Sequence, residues 1–140
     1  MPNDQEIAAA IHARLVSDQT AGSFFDDLGG LIYEAQARQD KAMPLCVFTI
    51  ISMRPYLAFA DSDDRDGDLQ IDIFHKRTAK GGPRAVRALN DKLITLLDRQ
   101  SIAVEGYSKV TVFCTDRGTP QVEEDLFRQM SQWIISASAA

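Results

Sequence analysis

The residues best equipped for chemistry are few and scattered. They are the run Asp61-Ser-Asp-Asp-Arg-Asp-Gly-Asp68, two histidines (His12 and His75), two cysteines (Cys46 and Cys114) and the glycines of Lys80-Gly-Gly-Pro83. The acidic run invites a calcium reading, which its register decides. With Gly67 in the sixth place of an EF-hand loop, the first place falls on Ser62 and the twelfth on Ile73. The bidentate glutamate that closes such a loop is missing, and no helix precedes the run. A solvated Asp-Gly hairpin joining two strands accounts for it better. His12 has no second ligand at helical spacing, and His75 ends a predicted strand. The two cysteines fit no zinc spacing and read as small apolar core side chains. Lys80-Gly-Gly-Pro83 lacks the long glycine-rich loop and the following Lys-Ser/Thr of a phosphate cradle, so it reads as a strand-to-helix turn. Asp72 within a strand and Glu105 within a loop read as solvent-facing. With no Ser-His-Asp arrangement and no paired carboxylates among apolar neighbours, no catalytic, cofactor or metal site is expected.

Composition bounds the rest. At 140 residues, 45% hydrophobic and 25% charged, the chain reads as one soluble domain over residues 1–140 with a core of its own. A net charge of −5 argues against gripping nucleic-acid phosphates. The acid is concentrated, because residues 61–68 hold five Asp against one Arg and leave the remainder close to neutral. No apolar run reaches the roughly 18 residues of a membrane span. The opening residues Pro2, Asn3, Asp4 and Glu6 do not form a signal peptide, and a reduced, cytoplasmic folding environment is expected.

The elements that must position these residues centre on a helix over about 83–97. Pro83 suits a first helical turn, and Val86, Leu89, Leu93, Leu96 and Leu97 form one apolar stripe at the helical period. On either side, 69–75 and 109–115 alternate strictly, as strands do. Leu69, Ile71, Ile73 and His75 share one face, beneath the helix. Residues 4–17 predict an N-terminal helix with Ile7, Ala10 or Ile11, and Leu15 inward, and 31–33 a short strand. Between them, Phe24 and Phe25 sit in a loop-like stretch that could plug the end of the core. Leu45–Ile51 is apolar on both faces, as expected of a strand covered on both sides or buried on one side in an assembly. Residues 53–60 read as its extension, bent at Pro55. Residues 123–136 fit either a helix or a strand, and the β-branched and aromatic residues at the end favour a strand. The expectation is an α/β (α+β) fold with a mixed or mainly antiparallel sheet of four or five strands. Helix 83–97 lies on one face with the N-terminal helix beside it.

The order of these features resembles the tail-terminator, or tail-completion, proteins of long-tailed phages and phage-like particles. The resemblance runs from about Ile7 to Ile135. Its best matches are the proline in Met43-Pro-Leu-Cys-Val-Phe48, the Gln-Ile-Asp-Ile strand within Leu69–Phe74, and the Phe-Arg pair in the closing run Asp125–Trp133. It implies a virion structural protein of the neck, not an enzyme, assembled in the host cytoplasm. It further implies a ring, typically of six subunits, that caps the tail tube, stops its polymerisation and meets the head connector. The implied partners are further copies of the chain, the tube protein and connector proteins, with no nucleic-acid readout, membrane or cofactor. No family site residue carries over, because the family works through surfaces. From charge alone, the expected interface residues are Asp61, Asp63, Asp64, Asp66 and Asp68, with Arg84, Arg87 and Lys92 as complements. Two alternatives are another neck or tube-like subunit of the same particle, and a small ligand-binding or enzymatic domain. A concave pocket with convergent polar groups would favour the latter.

Overall fold

The computed structural model describes residues 4–35, 43–55, 64–77 and 81–139. The chain order is α1 (Asp4–Leu15), α2 (Phe24–Asp27), β1 (Ile32–Glu34), β2 (Leu45–Pro55), β3 (Arg65–Lys76), α3 (Gly82–Leu97), β4 (Gln100–Ile102), β5 (Tyr107–Asp116), β6 (Gln121–Glu123) and β7 (Leu126–Ala139). The strands form one seven-stranded sheet in the order β1-β2-β3-β7-β5-β4, with β6 also paired to β7. Among the described residues only the β1–β2 pairing is parallel, and the other pairings are antiparallel. The sheet therefore has more strands than the four or five expected. The additions, β4 and β6, are three residues each, too short to carry an alternation that a sequence could reveal.

The 123–136 run is strand from Leu126 onward, after the end of β6 at Glu123 and a turn at 124–125, and the place of β7 explains the architecture. β7 lies between β3 and β5 and pairs antiparallel to both, which leaves β3 and β5 running the same way on either side of α3 in the chain. Gly81 starts α3 from the left-handed region at φ 92°, and a proline occupies the first turn. Val86, Leu89, Leu93 and Leu97 are buried as the stripe requires. Ile94 and Asn90 join them, while Leu96 is only partly covered.

α1 sits beside α3 and is tied to it. Arg14 Nε donates to the Leu96 carbonyl at 3.1 Å, and Arg14 Nη2 to Gln100 Oε1 at 3.2 Å. One of the otherwise unpaired carbonyls at the C-terminal end of α3 is satisfied in this way. Ile7, Ile11 and Leu15 from α1, Phe24 from α2, and Phe48, Ile71, Ile73, Val112, Trp133 and Ile135 from the sheet belong to one core. Trp133 is 1% exposed, and its Nε1 donates to Ser131 Oγ at 2.8 Å, so the largest side chain in the core leaves no polar atom unmet.

The acidic run is not a simple Asp-Gly turn. Asp66, Gly67 and Asp68 lie inside β3, paired with Arg54, Met53 and Ser52 of β2. A Cβ at Gly67 would stand 2.1 Å from Met53 Sδ and 2.8 Å from the Ser52 carbonyl, so the glycine makes room for a neighbouring strand. The start of the run, Asp61 to Asp63, lies outside the described residues, as does the stretch after Pro55.

Candidate interface on the uncovered face of the sheet

Strand alternation sends one set of side chains toward the helices and the other to a face on which no described helix packs. The register aligns that second set into rows across the strands. Phe113 on β5 stands opposite Ile134 on β7, and Ile134 opposite Asp68 on β3. The next row holds Gln132 and Gln70, and the one after holds Met130 and Asp72. Phe113 is 38% exposed, Ile134 41% and Met130 38%, while Ile51 at the β2 bulge reaches 58%. An antiparallel sheet that meets water on one side ordinarily turns polar residues outward. Apolar side chains gathered at the centre of the open face, beside glutamines and aspartates, have the mixture found at a protein interface.

Asp72 is not solvent-facing as its strand position implied. It is 6% exposed, accepts from Arg128 Nε at 3.0 Å through Oδ1, and accepts from Gln70 Nε2 at 3.0 Å through Oδ2. The Arg128 guanidinium also lies 5.7 Å from the centre of the Phe74 ring. The carboxylate is thus screened from water by the same side chains that satisfy it, on an otherwise open face. No signal in a single sequence joins positions 72 and 128, because their pairing depends on how β7 registers against β3.

Among the described residues, open grooves cross this face. One of about 420 Å³ is lined by Asp116, Thr119, Val122, Arg128 and Met130 among others. The second, of about 280 Å³, is lined by Ile51, Asp68, Gln70, Thr115 and Gln132 among others, and Gln132 borders both. A third hollow, of about 330 Å³, lies on the helical side near Arg14, Asp18 and Lys92, whose cations are already engaged. Among the described residues, no three His, Cys, Asp or Glu side chains gather where they could hold a metal. No described helix is long and apolar enough to cross a membrane.

The charged residues expected at an interface fall in different places. Asp66 and Asp68 belong to the uncovered face, and Asp64 immediately precedes β3. Asp68 is bonded to Arg54 at 2.7 Å and to Ser52 Oγ at 3.2 Å. The Arg54 hydrogen bond holds its carboxyl below the usual carboxylate range, while Asp68 pushes the Arg54 guanidinium up. Both partners are about half exposed, so the pair adds little stability. Arg84 and Arg87 are exposed on the outward side of α3. Lys92 is instead spent inside the domain, bonded to Asp27 and to the Gly22 carbonyl, where it pins the α2 region to α3. Burial raises the pKa of both thiols, and Cys46 is fully enclosed, as fits inert core cysteines.

No protein-family model and no curated protein matches the chain. Solved structures do. A chain from the virion of a native gene transfer agent particle has a TM-score of 0.71 and 12% identity, covering 94% of this chain and 93% of that one. A second solved chain has a TM-score of 0.71 and 15% identity, covering 99% of this chain and 97% of its own length. The likeness is one of fold, and it extends over nearly the whole of each molecule.

Proposed function

We propose that this chain is a structural subunit of a phage-like particle. Within it, the chain is a tail terminator that assembles as a ring at the end of the tail tube and presents its other side to the head connector. The observation that carries the reading is the whole-length likeness in fold to a chain of a gene transfer agent virion. The sequence resemblance to tail terminators leads to the same class of particle independently. The uncovered sheet face is the kind of surface such a role requires, since a subunit that works by assembly needs apolar area left over after its own core is closed.

In this reading the chain has no catalytic role, no cofactor and no nucleic-acid or membrane partner. Its partners are its own copies, the tube and the connector, and its place is the neck of the virion. The acidic cluster of Asp61, Asp63, Asp64, Asp66 and Asp68 faces a basic partner, with Arg84 and Arg87 as complements on another copy. Lys92 drops out because Asp27 already neutralises it. Deleting the gene in the cell that makes the particle tests the role. A terminator's loss leaves over-long tubes unattached to heads. Loss of a tube-like subunit leaves no tubes, loss of a connector leaves normal-length tails, and normal particles would refute a structural role.

A further inference from the structure

We propose that α3 of one copy seats on the uncovered sheet face of the next, so that the subunit contact is made by two unlike surfaces. The inference rests on the assembly reading above and specifies its contact. Its first support is electrostatic. The outward side of α3 exposes Arg84, Arg87, Ala88, Asp91 and Thr95, and Asp91 faces Arg117 at 3.9 Å, leaving the two arginines as a net positive patch around a small residue. The sheet patch around Phe113 and Ile134 is edged by Asp66, Asp68 and Asp116, against Arg54 and, further along β5 on the same face, the exposed Lys109. One surface carries a surplus of two positive charges and the other a surplus of one negative charge.

The second support is that the arginines are badly placed for the isolated chain. The first turn of α3 holds no acidic residue, and Arg84 stands where the helix dipole disfavours a cation. Among the described residues neither arginine forms an ion pair. Carboxylates arriving from outside remove that cost. They cannot come from this chain's own Asp66 and Asp68, because α3 packs on one face of the sheet and those carboxylates lie on the other.

Geometry supplies the third support. A contact between unlike patches is heterologous, and repeating it generates a closed ring or an open helix, whereas a sheet-to-sheet contact would stop at a two-fold dimer. Ala88 at the centre of the helix patch lets the backbone approach Phe113 and Ile134 closely. The arginines meanwhile reach the aspartates at the edge, where charge sets encounter rate and register.

The test uses two full-length variants, each with one surface disabled. The first carries Ile134→Asp with Phe113→Ser, and the second Arg84→Glu with Arg87→Glu, which suits the helix dipole. Unchanged circular dichroism and melting behaviour establish that both fold. If wild type assembles, each variant alone should be monomeric by light scattering. An equimolar mixture should form a species of about 31 kDa, two copies of 15.5 kDa, and nothing larger, because one intact surface of each kind remains. Assembly by the arginine variant alone, or a mixture that stays monomeric, overturns the proposal while leaving the ring reading standing. A wild-type chain that is monomeric at every concentration overturns both.

Discussion

Phe113 and Ile134 face each other across β5 and β7 on the side of the sheet away from the helices, and each keeps more than a third of its surface in water. Their core-facing neighbours Val112 and Ile135 are fully buried, so one pair of strands carries a closed apolar face and an open one. Replacing Ile134 with Lys should change the melting temperature little, since surface substitutions are usually within about 0.5 kcal/mol. It should lower the assembled fraction seen by light scattering. A large loss of stability would mean that Ile134 belongs to the core.

Leu93 tests the other face. It is fully buried between α3 and the sheet. Leu93→Ala should cost about 2–5 kcal/mol in denaturant unfolding, and Leu93→Asp should prevent folding, because it strands a carboxylate in the core. A native-like Leu93→Asp protein would show that the helix stripe is not packed.

The pair of Asp72 and Arg128 should behave asymmetrically. Arg128→Leu leaves the buried Asp72 carboxylate with only Gln70 and should destabilise by about 2 kcal/mol, discounted because the arginine is partly exposed. Adding Asp72→Leu should recover much of that loss, since two apolar side chains need no partners. A thermodynamic cycle over the four proteins measures the coupling. A double variant no more stable than Arg128→Leu would contradict the assignment.

A pH dependence follows from His75. Its Nδ1 accepts the Lys76 backbone N–H at 3.0 Å, a bond open only to the neutral ring. Burial, and then the Lys76 charge, hold its pKa below the ordinary 6.5. A folded value below the unfolded one means stability is fully present above pH 6.5 and is lost as pH falls through the folded value. The loss should be under about 1 kcal/mol, because the ring is partly exposed. His75→Gln should flatten the dependence of melting temperature on pH between 7 and 5, and an unchanged slope would assign it to other groups.

The acidic cluster makes a salt-dependent prediction. Changing Asp63, Asp64 and Asp66 together to Asn should leave the fold intact and impair assembly or docking to the tail, most visibly at low salt. If the triple variant assembles like the parent across salt, the acidic run takes no part in assembly.

What the sequence made legible follows from the length and strength of each pattern. α3 and the strands β3 and β5 were readable, because an apolar period sustained over many residues overrides local accidents. β2 was readable from its continuous apolar run, whereas β7 fitted both periods and only its β-branched and aromatic end favoured a strand. β4 and β6 were not, since three residues show no period. Asp66-Gly67 mimicked a turn, although its glycine serves a close approach of Met53 within the sheet. Asp72 looked solvent-facing because alternation places a residue on a face but does not say what else reaches it. That answer came from Arg128, 56 positions away. Lys92 looked free because its partners, Asp27 and the Gly22 carbonyl, lie in an irregular segment. The uncovered face itself could not be read, since the sequence does not state where β7 inserts.

The most direct test of the account is the mass of the wild-type protein in solution, measured by size exclusion with light scattering over a range of concentrations and followed by negative-stain imaging. Annular particles of one defined mass are expected, about 93 kDa if six copies of 15.5 kDa close the ring. A chain that stays at 15.5 kDa at every concentration, or stops at a two-fold dimer, would contradict it.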